Sequence, residues 1–269
     1  MKPLAPGPVV TVLAALVAVF LLMPLIAVIP VSFTPNRYLS VPTGDWSLRH
    51  YRALIDNPAW WKGTWLSIRI GVVSALLSTF LATLFATGLW MIEPRFKALY
   101  MGLALLPMVA PPVVSALTLY FFLISLSKVN SFLAFDTFAG VVLAHSVMIA
   151  PFAVVLVSVA LSQIDRRIDL AARSMGASTV TRLVKVILPN IRFGVLSALF
   201  LTFVLSWEEI GVTLFITSVN AVTLPRLMWM GLRDNIDPAI AAISVVLLAI
   251  VVAVVLTKTL VQHVRSTRG

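Results

Sequence analysis

Two adjacent carboxylates, Glu208 and Glu209, stand inside the apolar run FLTFVLSWEEIGVTLFI at 200–216, and three histidines, His50, His145 and His263, are scattered along the chain. These are the side chains on which proton transfer or metal binding would first be sought. Neighbouring residues on a helix point about 100° apart, so the two glutamates cannot close on one ion as a chelating pair would. No histidine is followed by glutamate, so the zincin pattern is missing, and there is no Gly-x-Ser-x-Gly elbow. No lysine follows a glycine, which excludes a phosphate-cradling P-loop, and any ATP that drives this protein has to bind another subunit. Cysteine is absent, and disulfides and thiolate metal sites with it. The sequence therefore offers no catalytic residue and no metal site. His145 lies in an apolar stretch, where a hydrogen-bonded packing role is expected of it.

The elements that position these residues are membrane spans. The chain is 60% hydrophobic and 11% charged, and its uninterrupted apolar runs have the length of about 20 residues that a helix needs to cross a bilayer. The runs fall at 9–31, 64–91, 99–125, 137–162, 191–216 and 238–258, predicting an all-α, polytopic membrane protein with six transmembrane helices in one domain, 1–269. The first run exceeds a signal-peptide core, and Pro24 and Pro30 stand where a cleavage pattern would be. It is read as a retained helix. With both termini cytoplasmic, the inner segments hold Lys2, Arg95, Lys97, Arg166, Arg167, Arg173, Arg182, Lys185, Arg192, Lys258, Arg265 and Arg268. The outer loops hold only Arg37, Arg49, Arg52, Lys62, Lys128, Arg226 and Arg233, which is the asymmetry that fixes orientation. The net charge of +10 is thus a topology signal rather than a nucleic-acid footprint.

Glu208 and Glu209 then sit about 17 residues into the fifth span, or about 25 Å from its cytoplasmic start. Ionisable groups at that depth face a cavity or a partner. One reading has Trp207, Glu208 and Glu209 lining a substrate pathway; the other has each glutamate in a structural ion pair, with Arg69 of the second span as the candidate partner. Pro107, Pro111 and Pro112 enter the third span together and should bend it. Before the second span, Leu48, Tyr51, Leu54 and Ile55 recur at helical spacing and predict a helix lying flat on the outer surface, followed by Trp60, Trp61 and Trp65 as an aromatic belt.

One basic loop interrupts the apolar pattern, DLAARSMGASTVTRLVKVILPNI at 169–191. Ile164, Ile168, Ala171, Ala172 and Met175 share a helical face, and Gly176 can adopt positive φ and end that helix. Ser178 or Thr179 can cap a second helix with the stripe Val180, Leu183, Val184 and Ile187, closed by Leu188 and Pro189. A pair of short amphipathic helices at 163–190 suits docking into a partner's groove. A basic helix lying on lipid headgroups is the competing reading, against which Ala171 and Ala172 are poor lipid anchors.

The loop resembles the EAA loop of the membrane subunits of binding-protein-dependent ABC importers, with Ala171, Ala172, Gly176, Ala177, Ile187, Leu188 and Pro189 in register. Leu170 departs from the pattern, standing where the family has its glutamate, so the resemblance leaves any ion pair to an ATPase to the neighbouring Asp169. The segments MPLIAVIPVSFTPNRYLSVPTGDWSLRHYRALIDNPAWW at 23–61, LLPMVAPPVVSALTL at 105–119 and SWEEIGVTLFITSVNAVTLPRLMWMGLRDNIDPAIAA at 206–242 are similar to the second permease of spermidine/putrescine importers. The resemblance implies a bacterial inner-membrane permease, with Asp169, Ala171, Ala172, Gly176, Ala177, Leu188 and Pro189 coupling it to an ATPase. It also implies a second homologous permease, two ATPase subunits that bind ATP and Mg, and a periplasmic substrate-binding protein, with membrane lipid around the spans. The implied cargo is a polyamine. An opine or aminophosphonate importer of the same class is the nearer alternative, and an ion-gradient-driven carrier the more distant one.

Overall fold

The computed structural model describes the backbone of residues 7–235 and 237–267 and the side chains of 7–233 and 237–262. Lys2 and Arg268 lie outside the described residues, as do the side chains of His263 and Arg265. Twelve α-helices form in the order α1 (Pro8–Val31), α2 (Arg49–Asp56), α3 (Pro58–Ile92), α4 (Lys97–Val109), α5 (Pro112–Ser127), α6 (Phe138–Ser162), α7 (Arg166–Ser174), α8 (Thr179–Arg182), α9 (Leu188–Glu208), α10 (Thr213–Ile216), α11 (Leu224–Met230) and α12 (Ala239–Thr267) among the described residues. Five helical segments are long and apolar enough to cross a membrane, and the pair α4 and α5 makes a sixth if counted as one bent span. The six-span expectation and the all-helical class both hold. The chain divides into two compact units, one from Met1–Trp61 with Met228–Gly269 and the other Lys62–Leu227.

In the first unit α1 is apolar on every side and buries none of its residues within the chain, the condition of a helix whose solvent is lipid. The segment after it is pinned by polar contacts. Ser32 shares a hydrogen bond with the Tyr51 hydroxyl at 2.7 Å, Thr34 with Ser40 at 2.8 Å, and the buried His50 ring meets the Asn36 carbonyl at 3.0 Å. These bonds hold α2, the helix expected on the outer surface. Of the three tryptophans that follow, Trp61 and Trp65 are exposed and Trp60 is buried.

The second unit is built on α3, α6 and α9. Ala82, Ala86, Ala153, Val157, Ile191 and Ala198 pack together with little side-chain bulk, so the helices approach closely. Gly194 shows how closely: a Cβ there would fall 2.3 Å from the Ala160 Cβ. Hydroxyls supplement the packing, as Ser74 donates to the Val142 carbonyl at 3.3 Å, Ser78 to the Ser146 carbonyl at 3.1 Å, and Thr79 meets Thr202 at 3.2 Å. His145 is almost wholly buried and bridges Ser206 at 2.8 Å and Thr213 at 2.9 Å, the packing role expected of it.

Two spans depart from straight helices. The third breaks between α4 and α5 with a bend of 98°, where Pro111 and Pro112 follow the last turn of α4. The fifth ends at Glu208, eight residues before its apolar run does; the chain then turns into the short helix α10 and an irregular stretch. Asp136 holds that stretch in place. Its carboxylate accepts hydrogen bonds from the backbone N–H groups of Ser218, Val219, Asn220 and Ala221, at 2.7 to 3.0 Å, and from the Asn220 side-chain amide at 3.0 Å. Burial pushes this carboxyl upward, but the four backbone donors together outweigh it and hold its pKa below the usual aspartate value.

A depressed folded-state pKa contributes stability that is present above the unfolded value of about 3.9 and lost as pH falls through the lower folded value. Asp136→Asn, which replaces an acceptor oxygen by a donor, is expected to cost about 2 kcal/mol at neutral pH. Thermal unfolding in detergent micelles checks this: the variant's Tm falls at pH 7, and its deficit narrows below pH 4.

Candidate functional site

Two regions carry the residues singled out by the sequence. The first is the loop between α6 and α9. Asp165 caps α7, its carboxylate accepting from the Arg167 N–H at 2.9 Å. The helix ends in a Schellman turn: the Gly176 N–H donates to the Arg173 carbonyl and the Ala177 N–H to the Ala172 carbonyl, with Gly176 at φ +79°. A Cβ on Gly176 would meet nothing within 4 Å, so the demand for glycine is torsional rather than steric. Ser178 then caps α8 through the Thr181 N–H at 3.2 Å. Ala172 is buried and Ala171 exposed, while Leu170, Met175, Val180 and Val184 turn large apolar surface outward.

Leu188 and Pro189 do not close the second helix. A π-helical turn at Leu183–Ile187 links α8 to α9, and Thr179–Glu208 runs as one helix of 30 residues. Proline lacks the N–H that an α-helix would direct to the carbonyl four residues earlier, and its ring presses on that carbonyl. Widening the preceding turn, where the Leu188 N–H reaches the Leu183 carbonyl five residues back, lets the helix pass through Pro189 without a break.

Asp169 is held by an arginine of its own chain. Arg182 grips both its oxygens, Nε to Oδ1 at 2.8 Å and Nη2 to Oδ2 at 2.5 Å, with both residues buried. This fork-on-carboxylate contact ties α7 to α8 across the glycine turn. The carboxylate beside Leu170 is thus engaged within the chain. Sequence reasoning took Arg182 only as one more inner charge; an aspartate and an arginine flanking a helix-ending glycine were the signal available.

The second region is the far end of α9. Glu208 is the last helical residue and is exposed; Glu209 caps the helix, is half-buried, and accepts the Val212 N–H at 2.8 Å. Glu209 also lines a cleft of about 370 Å³ with Pro107, Ala110, Pro111, Met148, Phe152 and Leu205. The kink prolines and one glutamate, read separately in the sequence, therefore meet around one space. Trp207 is not on that lining; it lies against Phe203 on its own helix, ring centres 6.3 Å apart. Arg69 forms no ion pair with either glutamate and instead stands over the Phe138 ring, 4.9 Å from its centre. Among the described residues no cluster of histidine and acidic side chains could hold a metal ion.

Residues 78–266 match the model of the family described as the binding-protein-dependent transport system inner membrane component. The chain is 28% identical over 235 residues to the putrescine transport system permease protein PotI of Escherichia coli (strain K12), covering 86% of this chain and 83% of that one. It is 27% identical to the spermidine/putrescine transport system permease protein PotC of Haemophilus influenzae, covering 91% and 92%. A probable molybdenum ABC transporter permease protein of Haloferax volcanii is 34% identical over 69% of this chain and 71% of its own. Among solved structures, a bacterial ABC transporter involved in the import of alginate superposes with a TM-score of 0.71 at 16% identity, over 93% of this chain and 95% of that one.

Removing one member of the Asp169–Arg182 pair leaves the other charge without its partner, which is expected to cost about 1–3 kcal/mol, whereas replacing both by apolar residues of similar size is close to neutral. Asp169→Leu alone should therefore lower the Tm sharply, and Asp169→Leu combined with Arg182→Leu should regain most of it. Additive losses in the double variant would mean that the two side chains act independently.

Proposed function

Because the chain belongs to the family of inner membrane components of binding-protein-dependent transport systems, we propose that it forms half of the pathway through which a polyamine enters a bacterial cell. It is a multi-pass permease subunit of an ABC importer. The other half of the pathway is a second homologous permease. Two ATPase subunits bind ATP and Mg against the 163–190 loop on the cytoplasmic side, where both termini also lie, and a periplasmic receptor delivers cargo from outside. ATP closes the ATPase dimer, the loops of the two permeases are drawn together, and the pathway opens outward to take its load. The shape of the loop supports this, with the short helix α7 and the start of the long Thr179–Glu208 helix meeting at a Schellman turn, and exposed Leu170, Met175, Val180 and Val184 to seat in a groove.

Glu209 beside the broken third span is the observation that carries the choice of cargo. Pro111 and Pro112 have no N–H, so the carbonyls of Pro107 and Met108, both on the lining of the cleft, lose their helical donor. Carbonyls freed at a broken helix and a carboxylate in the same cleft together favour a cation and offset the desolvation of an ammonium group. The named substrates of PotI and PotC are polyamines. The relative named for molybdenum keeps another solute as the second reading. An opine or an aminophosphonate would be carried by the same machine, but an anionic cargo would be repelled by Glu209.

ATP-dependent uptake of labelled spermidine and putrescine into proteoliposomes holding the complete transporter tests the proposal. Glu209→Gln is expected to reduce polyamine uptake by about tenfold or more, the loss of one charge-assisted contact, and Glu208→Gln much less. An assembled, ATP-hydrolysing complex that moves no polyamine would overturn the cargo. Gly176→Val forces a β-branched residue to positive φ and is expected to abolish uptake while membrane insertion stays normal; undiminished uptake would sink the coupling role of the loop.

A further inference from the structure

Lys97 is the first residue of α4 and Arg166 the first of α7. Both line a cleft of about 340 Å³, together with Trp90, Met101, Ser158 and Ser162. Its polar groups are unequally committed. Arg166 is paired with Glu93 and stands 5.0 Å from the centre of the Trp90 ring. Lys97 is half-buried, and its ammonium has no hydrogen-bond or ion-pair partner among the described residues. The Ser158 hydroxyl oxygen is shut off from solvent and also lacks a partner. A cation and a buried hydroxyl left unsatisfied around one cleft call for an acceptor from outside the chain.

The position says which acceptor. Trp90 lies two residues from the end of α3 and Ser162 is the last residue of α6, and both helices are long and apolar enough to cross the membrane. The cleft therefore opens at the level of the headgroups, where the acceptor present at high concentration is a phosphodiester. Beside it Leu99, Leu103 and Leu106 of α4 expose more than half their surface, an apolar flank for acyl chains. The Glu93 carboxylate neutralises Arg166, which leaves Lys97 as the uncompensated charge and selects a lipid with net negative charge.

We propose that this cleft binds the phosphate of an anionic phospholipid, with Lys97 donating to it and the Ser158 hydroxyl reaching it by a change of side-chain rotamer. Arg166 is the first residue of α7, so the bound headgroup braces the start of the 163–190 loop. The inference holds whatever solute is transported.

Native mass spectrometry of the purified full transporter, given phosphatidylglycerol or phosphatidylcholine, tests it directly. The wild type should retain phosphatidylglycerol in preference. Lys97→Gln should weaken that retention about fivefold, Lys97→Arg should restore it, and Ser158→Ala should weaken it with the Tm unchanged. Equal retention by wild type and Lys97→Gln, or no preference between the two lipids, would overturn the proposal. Displacement of the lipid by an equal concentration of inorganic phosphate would assign the cleft to free phosphate instead, and loss of the lipid whenever the ATPase is bound would assign Lys97 to a protein carboxylate.

Discussion

Lipid offers no hydrogen bonds, so wherever this chain leaves the helical path it has to bring its own donors and acceptors. Three departures are met by specific groups. Where the fifth span stops short, Asp136 reaches across to collect the backbone donors of 218–221, and His145 joins Ser206 at the end of α9 to Thr213 at the start of α10. Where α7 ends, the Schellman turn at Gly176 returns two N–H groups to the helix they leave. Where Pro189 interrupts the ladder, a π turn takes up the defect.

Hydropathy made the spans legible, because an apolar run of bilayer length has little place outside a membrane. The bend at Pro107, Pro111 and Pro112 and the helix-ending role of Gly176 were legible for a different reason: proline and glycine declare their torsional limits in any context. What the sequence hid were the polar contacts. Residues 210–216, IGVTLFI, are as apolar as the span before them, and nothing local announces that Asp136, more than 70 residues earlier, anchors the turn that follows. Arg182 looked like a topology charge because its partner lies on a different helix, and Arg69 looked like a partner for the glutamates because charge attracts in a sequence regardless of distance. In sequence Leu188–Pro189 is a stop signal, and it becomes a passage only when the turn before it widens.

That last correction bears on the proposed mechanism. Thr179–Glu208 is one helix of 30 residues, about 45 Å at the usual rise. One end carries the second helix of the proposed coupling loop, held to the first by Asp169 and Arg182; the other delivers Glu209 to the cleft. A rigid element thus links the surface offered to an ATPase with the carboxylate offered to a cation. The close approach of Gly194 to Ala160 is the point where this rod bears on α6.

The π turn also sets the rotational phase of that rod. It takes in one residue more than an α-helical turn would, so tightening 183–187 to ordinary winding with no residue lost would rotate the far end by about 100°. That is the angle separating two successive side chains. Such a slip would bring a neighbouring side chain to where Gly194 meets Ala160, a place in which even a Cβ would fall 2.3 Å from its neighbour, so the glycine contact fixes the phase that sets Glu209, and not Glu208, on the cleft.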